Sequence, residues 1–271
     1  MKKIFSIAAA IAILFGAASC QKEITPGMEG DSKVTFSIEI PEDVATKADM
    51  SDGTTVDDLA YEVYVGNEVM YEGYVGLSGT RQFSLELNLV TGQTYDLLFW
   101  AQVKGKDFYH IPVSYPDNKP RYDLKNVEIN YGGRISNDET RDAFCKLHTF
   151  TVPDQATFDE TVVLKRPFAQ LNIGTKNTAE EYEIIMTQSN VTISNVPTVF
   201  DVAQNTPASP AVSDYESFEF SYAALPTNPD ILRVNDIPYH YVAMNYIFAG
   251  SQNVTVEYNI DATLRALDTN E

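Results

Sequence analysis

Cys20 is the residue whose surroundings most clearly indicate a chemical modification. Two lysines open the chain before an apolar run from Ile4 to Ala18, and small residues stand directly before the cysteine. A charged start, a short apolar stretch and a small-residue cleavage site are the features of an export signal. A cysteine at that point is typical of a lipobox, although Ala17 stands where leucine is more usual. We therefore predict a signal peptide over residues 1–19 and lipid on Cys20, the alternative being plain secretion with cleavage near Ala18.

Lipid on Cys20 would attach the protein to a membrane from outside, because each buried CH₂ contributes about 0.8 kcal/mol and several chains bind almost irreversibly. The apolar run is too short and too close to small residues to be a membrane-spanning helix, which needs roughly 20 apolar residues. Residues 20–33 show no hydrophobic period and are interpreted as a lipid tether. The predicted location is the outer membrane or cell surface, lipid-anchored.

The other reactive residue types show no catalytic or metal-binding pattern. Lipid on Cys20 leaves Cys145 without a disulfide partner, and its apolar neighbours favour a buried, unreactive thiol. His110, His148 and His240 stand far from each other and from any cysteine pair, so we predict no metal site and no cofactor. The chain is therefore predicted not to be an enzyme. Its many carboxylates leave a glycosidase as a third-ranked alternative, since such an enzyme needs only two of them across a cleft.

The chain is strongly acidic, with a formal net charge of −19 over 271 residues. Removing residues 1–19 with their two lysines moves this charge to −21. Nucleic acid and anionic membrane surfaces would repel such a protein, so neither is predicted as a partner. Acidity also keeps an exported protein soluble, and by itself it requires no binding partner.

Alternating apolar and polar residues indicate β-strands along most of the chain. Val34–Ile40 alternates without a fault, and Gly66-Asn67 between Leu59–Val65 and Glu68–Val75 predicts a two-residue hairpin. Tyr95–Val103 is apolar on both faces and should be a central strand. Residues 41–58 are polar and rich in turn formers, which predicts an exposed loop. Further strands are predicted at Gln82–Val90, Phe108–Val113, Thr161–Leu164, Arg166–Ile173, Val191–Val196, Tyr215–Tyr222, Tyr239–Phe248 and Val254–Ile260.

Helix signals are few. Asn137 could cap a short turn at 138–144, and residues 178–181 have capping-box spacing. Many strands separated by turns predict an all-β fold with little helix. The chain without its signal peptide is longer than a usual single domain, so we predict two β-sandwich domains, at 34–175 and 176–271.

Several of these segments, taken in order, resemble the fimbrillin-like lipoproteins that supply type V pilus subunits in the Bacteroidales. The resemblance covers most of the chain after the signal peptide, and it depends on the order of the segments more than on any one of them. The segments are the lipobox at Cys20, the strand Val34–Ile40 with Val44–Ala48 and Asp52-Gly53 after it, Leu59–Val65, Asp138–Phe144, Arg166–Gly174 and Tyr241–Tyr246.

The resemblance implies a transthyretin-like N-terminal sandwich, a second sandwich and a structural or adhesive role in a pilus. Other pilus subunits would be the partners, through donor-strand exchange after proteolytic removal of the first strand. Family members are usually cut after arginine, whereas the matching position here is Lys47, the predicted processing site. Family members also continue beyond the strand that matches Val254–Ile260 and often supply the donor there. The ending at Glu271 therefore predicts a fragment or a shortened, non-polymerising member.

The alternative function is a surface-anchored glycan-binding β-sandwich, with a host or other glycan as ligand. Exposed aromatic side chains can stack on sugars, and the chain has 16 Tyr and one Trp. An exposed platform containing Trp100 or neighbouring tyrosines would favour glycan binding. A first strand bordered by an accessible, cuttable loop would favour the pilus subunit.

Overall fold

The computed structural model describes residues 30–41, 53–175, 182–208, 215–220, 232–234, 237–248 and 253–266. Cys20, Lys47 and the predicted turn at 178–181 lie outside these ranges. Within them the fold is all-β, which confirms the predicted class, and the helical elements are 3₁₀ turns at Pro116–Asn118 and Glu139–Arg141. None of the described helical elements is long and apolar enough to cross a membrane.

The strands of the described residues are numbered in chain order. They are β1 (Ser32–Glu39), β2 (Asp58–Val65), β3 (Glu68–Gly79), β4 (Gln82–Leu89), β5 (Thr94–Gln102), β6 (Tyr109–His110), β7 (Val113–Ser114), β8 (Arg121–Tyr122), β9 (Val127–Ile129), β10 (Phe144–Thr151), β11 (Thr157–Val163), β12 (Ala169–Thr175), β13 (Tyr182–Pro197), β14 (Val199–Asp201), β15 (Thr206–Pro207), β16 (Tyr215–Phe220), β17 (Leu232–Val234), β18 (Ile237–Ile247) and β19 (Thr255–Ala266).

The first sheet has seven strands, in the order β10-β5-β2-β3-β4-β1-β11. Its neighbours are antiparallel, except that β1 and β11 run parallel. The first part of β3 pairs with β2, whereas only its last residues pair with β4, so the sheet can fold into two layers at this long strand. Beyond β11, Lys165 exchanges two backbone hydrogen bonds with Cys145 of β10, at 2.8 and 3.0 Å, and so joins the two ends of the sheet.

The strands of this sheet share one hydrophobic core. Strand residues with period two supply it, because alternate side chains of a strand point to the same face. The core includes fully buried side chains from β1, β4 and β5: Val34, Phe36, Ile38, Phe83, Leu97 and Phe99. The predicted hairpin of β2 and β3 is confirmed, with Gly66 in its turn at a φ of 60° that glycine adopts without strain.

A second core lies on the other face of β5. Leu98 and Trp100 point into it, while Leu97 and Phe99 point into the first core, so the predicted coverage of this strand on both faces is confirmed. The remaining strands form the sheets β12-β18-β17, β16-β13-β19 and β15-β14-β9-β6 and the ribbon β7-β8. Side chains from residues 60 to 248 contribute to the second core. The division into two sandwich domains near residue 175 stays a prediction.

Two expectations about local structure were wrong. The cap of the 3₁₀ turn is Asp138, whose carboxylate accepts the Thr140 N–H, and not Asn137, whose side chain accepts the Met244 N–H at 2.7 Å. The loop expected at 41–58 is not exposed at its end, because Val56 is buried in the first core. Residues 42–52 of that loop lie outside the described ranges.

Strand β10 was not predicted at all. Its alternation is out of phase, since Leu147 is 38% exposed while the neighbouring His148 is half-buried. The apolar pattern therefore does not mark the buried face of this strand.

Candidate functional site

The first strand occupies a slot between two neighbours. β1 pairs antiparallel with β4 over eight residue pairs, from Ser32–Leu89 to Glu39–Gln82. On its other edge it pairs parallel with β11, from Lys33–Thr157 to Glu39–Val163. Without β1, the facing edges of β4 and β11 would lose their strand partner, which leaves backbone donors and acceptors open to another strand.

One face of this slot is apolar and closed to solvent. Val34, Phe36 and Ile38 are fully buried, and Ile40 at the strand's end is 2% exposed. Phe36 makes an edge-to-face contact with Phe150, with ring centroids 5.6 Å apart. A strand that fills the slot must therefore present apolar side chains at every second position.

A second feature is a buried polar junction that unites three distant segments. We use this name for Ser136, Arg141, Asp142, Arg166, Asn245 and Tyr246. The Asp142 carboxylate accepts two hydrogen bonds from the Arg166 guanidinium, at 2.8 and 2.7 Å, and its side chain is fully buried. Arg141, also fully buried, donates to the Asn245 amide oxygen at 2.9 Å, and that amide donates to Ser136 at 3.0 Å.

Electrostatics hold this junction together. Burial disfavours the charged form of Arg166, but the hydrogen bonds and charge of Asp142 outweigh burial, so the pKa of Arg166 lies above its ordinary value. Burial lowers the pKa of Arg141. The guanidinium carbons of both arginines lie 5.8 Å from the centre of the Tyr246 ring, within cation–π range. The junction thus connects the chain before β10, the chain before β12 and strand β18.

A third feature is a groove of about 300 Å³ beside the middle of β3, lined by Tyr61, Met70, Tyr71, Glu72, Lys119 and Arg121. Arg121 forms an ion pair with Glu72 at 2.6 Å, and the other Glu72 oxygen accepts the Tyr122 N–H. These contacts hold the β7-β8 ribbon against β3. Tyr74, 40% exposed, packs edge-to-face on Tyr122 at 5.0 Å. The groove therefore combines aromatic rings with two cationic side chains.

A family model matches residues 26–271, which is nearly the whole chain. The chain belongs to the family of unknown function DUF6562. No curated protein matches this DUF6562 chain.

Several solved structures share this fold. One, from Bacteroides thetaiotaomicron, is provisionally described as polysaccharide binding (DUF1812); it is 12% identical, with 84% of this chain and 75% of that one covered and a TM-score of 0.52. A provisional adhesin from Bacteroides ovatus is 13% identical over 86% and 72%, with a TM-score of 0.50. A provisional cell adhesion protein from Parabacteroides distasonis is 14% identical over 87% and 76%, also with 0.50. At these identities the likeness concerns the fold.

Three further residues of the DUF6562 chain that were considered for chemistry or glycan binding, Cys145, His148 and Trp100, pack within the fold. Cys145 is buried, and burial raises the pKa of its thiol to about 12. His148 on β10 lies 3.1 Å from the carboxylate of Glu160 on β11, the strand at the other end of the sheet order. The described residues contain no group of three or more His, Cys, Asp or Glu side chains placed to hold a metal ion. Trp100 is fully buried, with its indole N–H donated to Gln102 at 2.8 Å, so it is not part of an exposed platform.

One pocket has two carboxylates among its lining residues, and it is the place to look for the pair that a glycosidase needs. It has a volume of about 600 Å³, it is open to solvent, and Asp107, His110 and Glu128 are among its lining residues. Hydrogen bonding and charge from Arg134 lower the pKa of Asp107, which is the opposite of what a general acid needs.

The sequence-predicted modification sites, Cys20 and Lys47, lie outside the described residues of the DUF6562 chain. Sequence reasoning did not find the junction, although three segments quoted for the family resemblance, Asp138–Phe144, Arg166–Gly174 and Tyr241–Tyr246, supply most of it. The charged residues Arg141, Asp142 and Arg166 within these segments could have indicated the junction. A charge in a segment that is otherwise expected to be buried needs a partner.

Proposed function

We propose that this protein is a cell-surface lipoprotein with a structural, adhesive role: a pilus subunit that assembles with other subunits by exchange of its first strand. Cys20 carries the lipid that anchors the uncut protein to the outer membrane. Lys47 is the processing site, and a cut there separates the anchored segment with the first strand from the rest of the chain. None of its residues is catalytic in this role.

The observation that carries the proposal is the position of β1 in its slot. The strand is paired along both edges, and its apolar face fills the core of the first sheet. The chain leaves β1 at Ile40 and Pro41, seven residues or fewer from Lys47. A cut at that lysine would leave β1 held by non-covalent contacts and by no covalent bond to the rest of the sheet.

A strand from another subunit could satisfy the same groups. Main-chain hydrogen bonds to β4 and β11 would supply affinity, and the pockets of Val34, Phe36, Ile38 and Ile40 would select alternate apolar side chains. The fold shared with provisional adhesion proteins of Bacteroides ovatus and Parabacteroides distasonis supports a surface role of this kind.

The test is limited proteolysis of the chain that begins at Cys20. Brief trypsin treatment should remove the segment that contains Val34–Ile40, seen by mass spectrometry, and the cut protein should then form a ladder of oligomers on native gels. Lys47→Gln should prevent both, whereas Lys106→Gln, which removes a lysine from an exposed turn, should change neither. Oligomers that form equally well from the uncut Lys47→Gln protein would contradict assembly by strand exchange. Clean cutting with persistent monomer would contradict polymerisation, though not the fold.

A second candidate function is glycan binding, and the groove beside β3 favours it. Sugars bind proteins through aromatic faces and hydrogen-bonding side chains, and the groove offers Tyr61 and Tyr71 next to Lys119 and Arg121. The solved structure from B. thetaiotaomicron is itself provisionally described as polysaccharide binding.

Glycan-array binding tests this second function. Tyr61→Ala should abolish any glycan signal, whereas Tyr115→Ala should not, because Tyr115 is 69% exposed but does not line the groove. No signal with the unaltered protein on host and bacterial glycan arrays would count against glycan binding.

A further inference from the structure

Arg81 holds the end of the first strand from which the chain continues toward Lys47. The Ile40 N–H donates to the Arg81 carbonyl at 2.9 Å, and the Arg81 guanidinium donates through Nη1 to the Pro41 carbonyl at 3.2 Å. One residue on the turn between β3 and β4 thus binds two consecutive residues of another chain segment. These are the last described residues before the gap that contains Lys47.

The opposite end of β1 is held by different groups. The Ser32 hydroxyl donates to the Gln155 carbonyl at 2.7 Å, and the Lys33 N–H donates to the Ala156 carbonyl at 2.9 Å. Those contacts come from the chain before β11 and do not involve Arg81. The two ends of the strand can therefore be perturbed separately.

Arg81 lies in the tight turn between β3 and β4. Its φ is 57°, in the left-handed region that glycine and asparagine adopt far more readily than arginine. Residues in such conformations are often held there by contacts with the surrounding structure. The contact with Pro41 is the interaction that asparagine at this position would be too short to make.

The contact between Arg81 and Pro41 lies outside the fully buried part of the strand. A cavity of about 540 Å³ lies beside it, lined by Glu39, Ile40, Pro41, Thr80, Arg81 and Gln82. Water in this cavity can compete for the Pro41 carbonyl, while Phe36 and Ile38 further along the strand stay fully buried. Opening would therefore start at the Ile40 end, next to the proposed cut.

We propose that Arg81 is a latch that sets how fast this end of the first strand leaves its slot. The proposal rests on the strand exchange proposed above, and it makes Arg81 a positioning residue that acts through the backbone of Ile40 and Pro41. Its side chain raises the barrier to release, and its carbonyl keeps the strand in register with β4.

Hydrogen exchange in the uncut chain tests the latch directly. Arg81→Asn suits the left-handed backbone and removes the contact with Pro41, so the Ile40 amide should exchange about tenfold faster, the effect of losing one hydrogen bond to a charged group. The Lys33 amide, at the far end of β1, should not change. Arg81→Lys keeps a cationic donor and should give an intermediate rate. Arg121→Asn removes an arginine whose ion pair is with Glu72 of β3, and it should leave the Ile40 amide unchanged. Exchange of the Ile40 amide within twofold of the unaltered protein, or equal acceleration throughout the first sheet, would overturn the proposal.

Release of the strand after cutting separates the latch from the proposed function. A labelled peptide of residues 31–41 is added to trypsin-treated protein, and its uptake measures the rate at which the first strand leaves. Arg81→Asn should raise that rate about tenfold. If the cut protein takes up no peptide although the Ile40 amide responds to Arg81→Asn as expected, strand exchange is refuted and the latch stands.

Discussion

Breaking the ion pair of the buried junction should destabilise the protein far more than breaking a surface pair. In Asp142→Asn the Arg166 guanidinium keeps its charge in a site where its side chain is only 11% exposed. Removing one partner of a buried ion pair typically costs about 3–5 kcal/mol, because the remaining charge is left without compensation. The asparagine retains one acceptor oxygen, so we expect about 3 kcal/mol of lost unfolding free energy.

Urea unfolding of the chain that begins at Cys20 measures this loss. Trp100 is the one tryptophan of the chain and lies in the second core, so its fluorescence reports unfolding of that core. Glu86→Gln is the matched control, because it breaks a surface ion pair with Lys33. The side chain of Lys33 is 52% exposed and that of Glu86 is 56% exposed. The variant should lose at most about 0.5 kcal/mol of unfolding free energy.

The double variant Asp142→Asn with Arg166→Met decides whether the uncompensated charge is the cause. It removes the charge together with its partner, so it should recover part of the stability lost in Asp142→Asn. A loss below about 1 kcal/mol in Asp142→Asn, close to that of Glu86→Gln, would refute the reasoning about buried charge.

Three further predictions concern the first core, a buried carboxyl and the buried thiol. Phe36→Ala should cost about 3–5 kcal/mol in urea unfolding, and Ser37→Ala, on the other face of β1, less than about 0.5 kcal/mol; a Phe36→Ala loss below 1 kcal/mol would show that β1 is not an integral part of the core. Burial raises the pKa of Glu62, so the folded state holds its proton more tightly than the unfolded state, and stability is lost as pH rises through the folded pKa. Urea unfolding at pH 5 and pH 7 measures this effect against Glu62→Gln, which has no carboxyl to titrate. The unaltered protein should lose stability relative to Glu62→Gln at pH 7. The same difference in unfolding free energy at both pH values would contradict the prediction. In the Cys20→Ser protein at pH 8, iodoacetamide should alkylate Cys145 at least about 100-fold faster in urea than in the folded state, because its pKa is raised to about 12; similar rates would show an accessible thiolate.

The sequence predicts those strands whose hydrophobic pattern coincides with burial. β1 alternates without a fault, and each apolar residue of Val34–Ile40 is buried as expected. β5 is apolar on both faces because two cores meet at it. β10 was missed because its apolar residue Leu147 points toward solvent. The alternation of apolar residues in its sequence therefore does not match the buried face of the strand.

The junction could not be predicted because its partners are distant in sequence. Arg141 and Asn245 are separated by 104 positions, and only the tertiary fold brings their side chains together. A charge in a buried segment indicates that some partner exists, but the spacing along the chain does not say which one. The latch at Arg81 was missed for the same reason, since its contact is with residues 40 positions earlier.

Strand exchange in such a slot must be controlled kinetically. Release of β1 without a replacement is unfavourable in free energy, because Val34, Phe36 and Ile38 are fully buried. The empty slot would expose apolar surface and unpaired backbone groups. A replacement strand with the same alternation of apolar residues restores the buried apolar surface and the backbone hydrogen bonds. The net free energy of exchange is therefore small, while the barrier to release of the first strand is large. Such a barrier is lowered most effectively where opening begins, at a strand end. The end at Ile40 combines the side-chain latch of Arg81, an adjoining cavity and the segment that leads to Lys47. At the other end, the Ser32 hydroxyl and the Lys33 N–H donate to backbone carbonyls of the chain before β11.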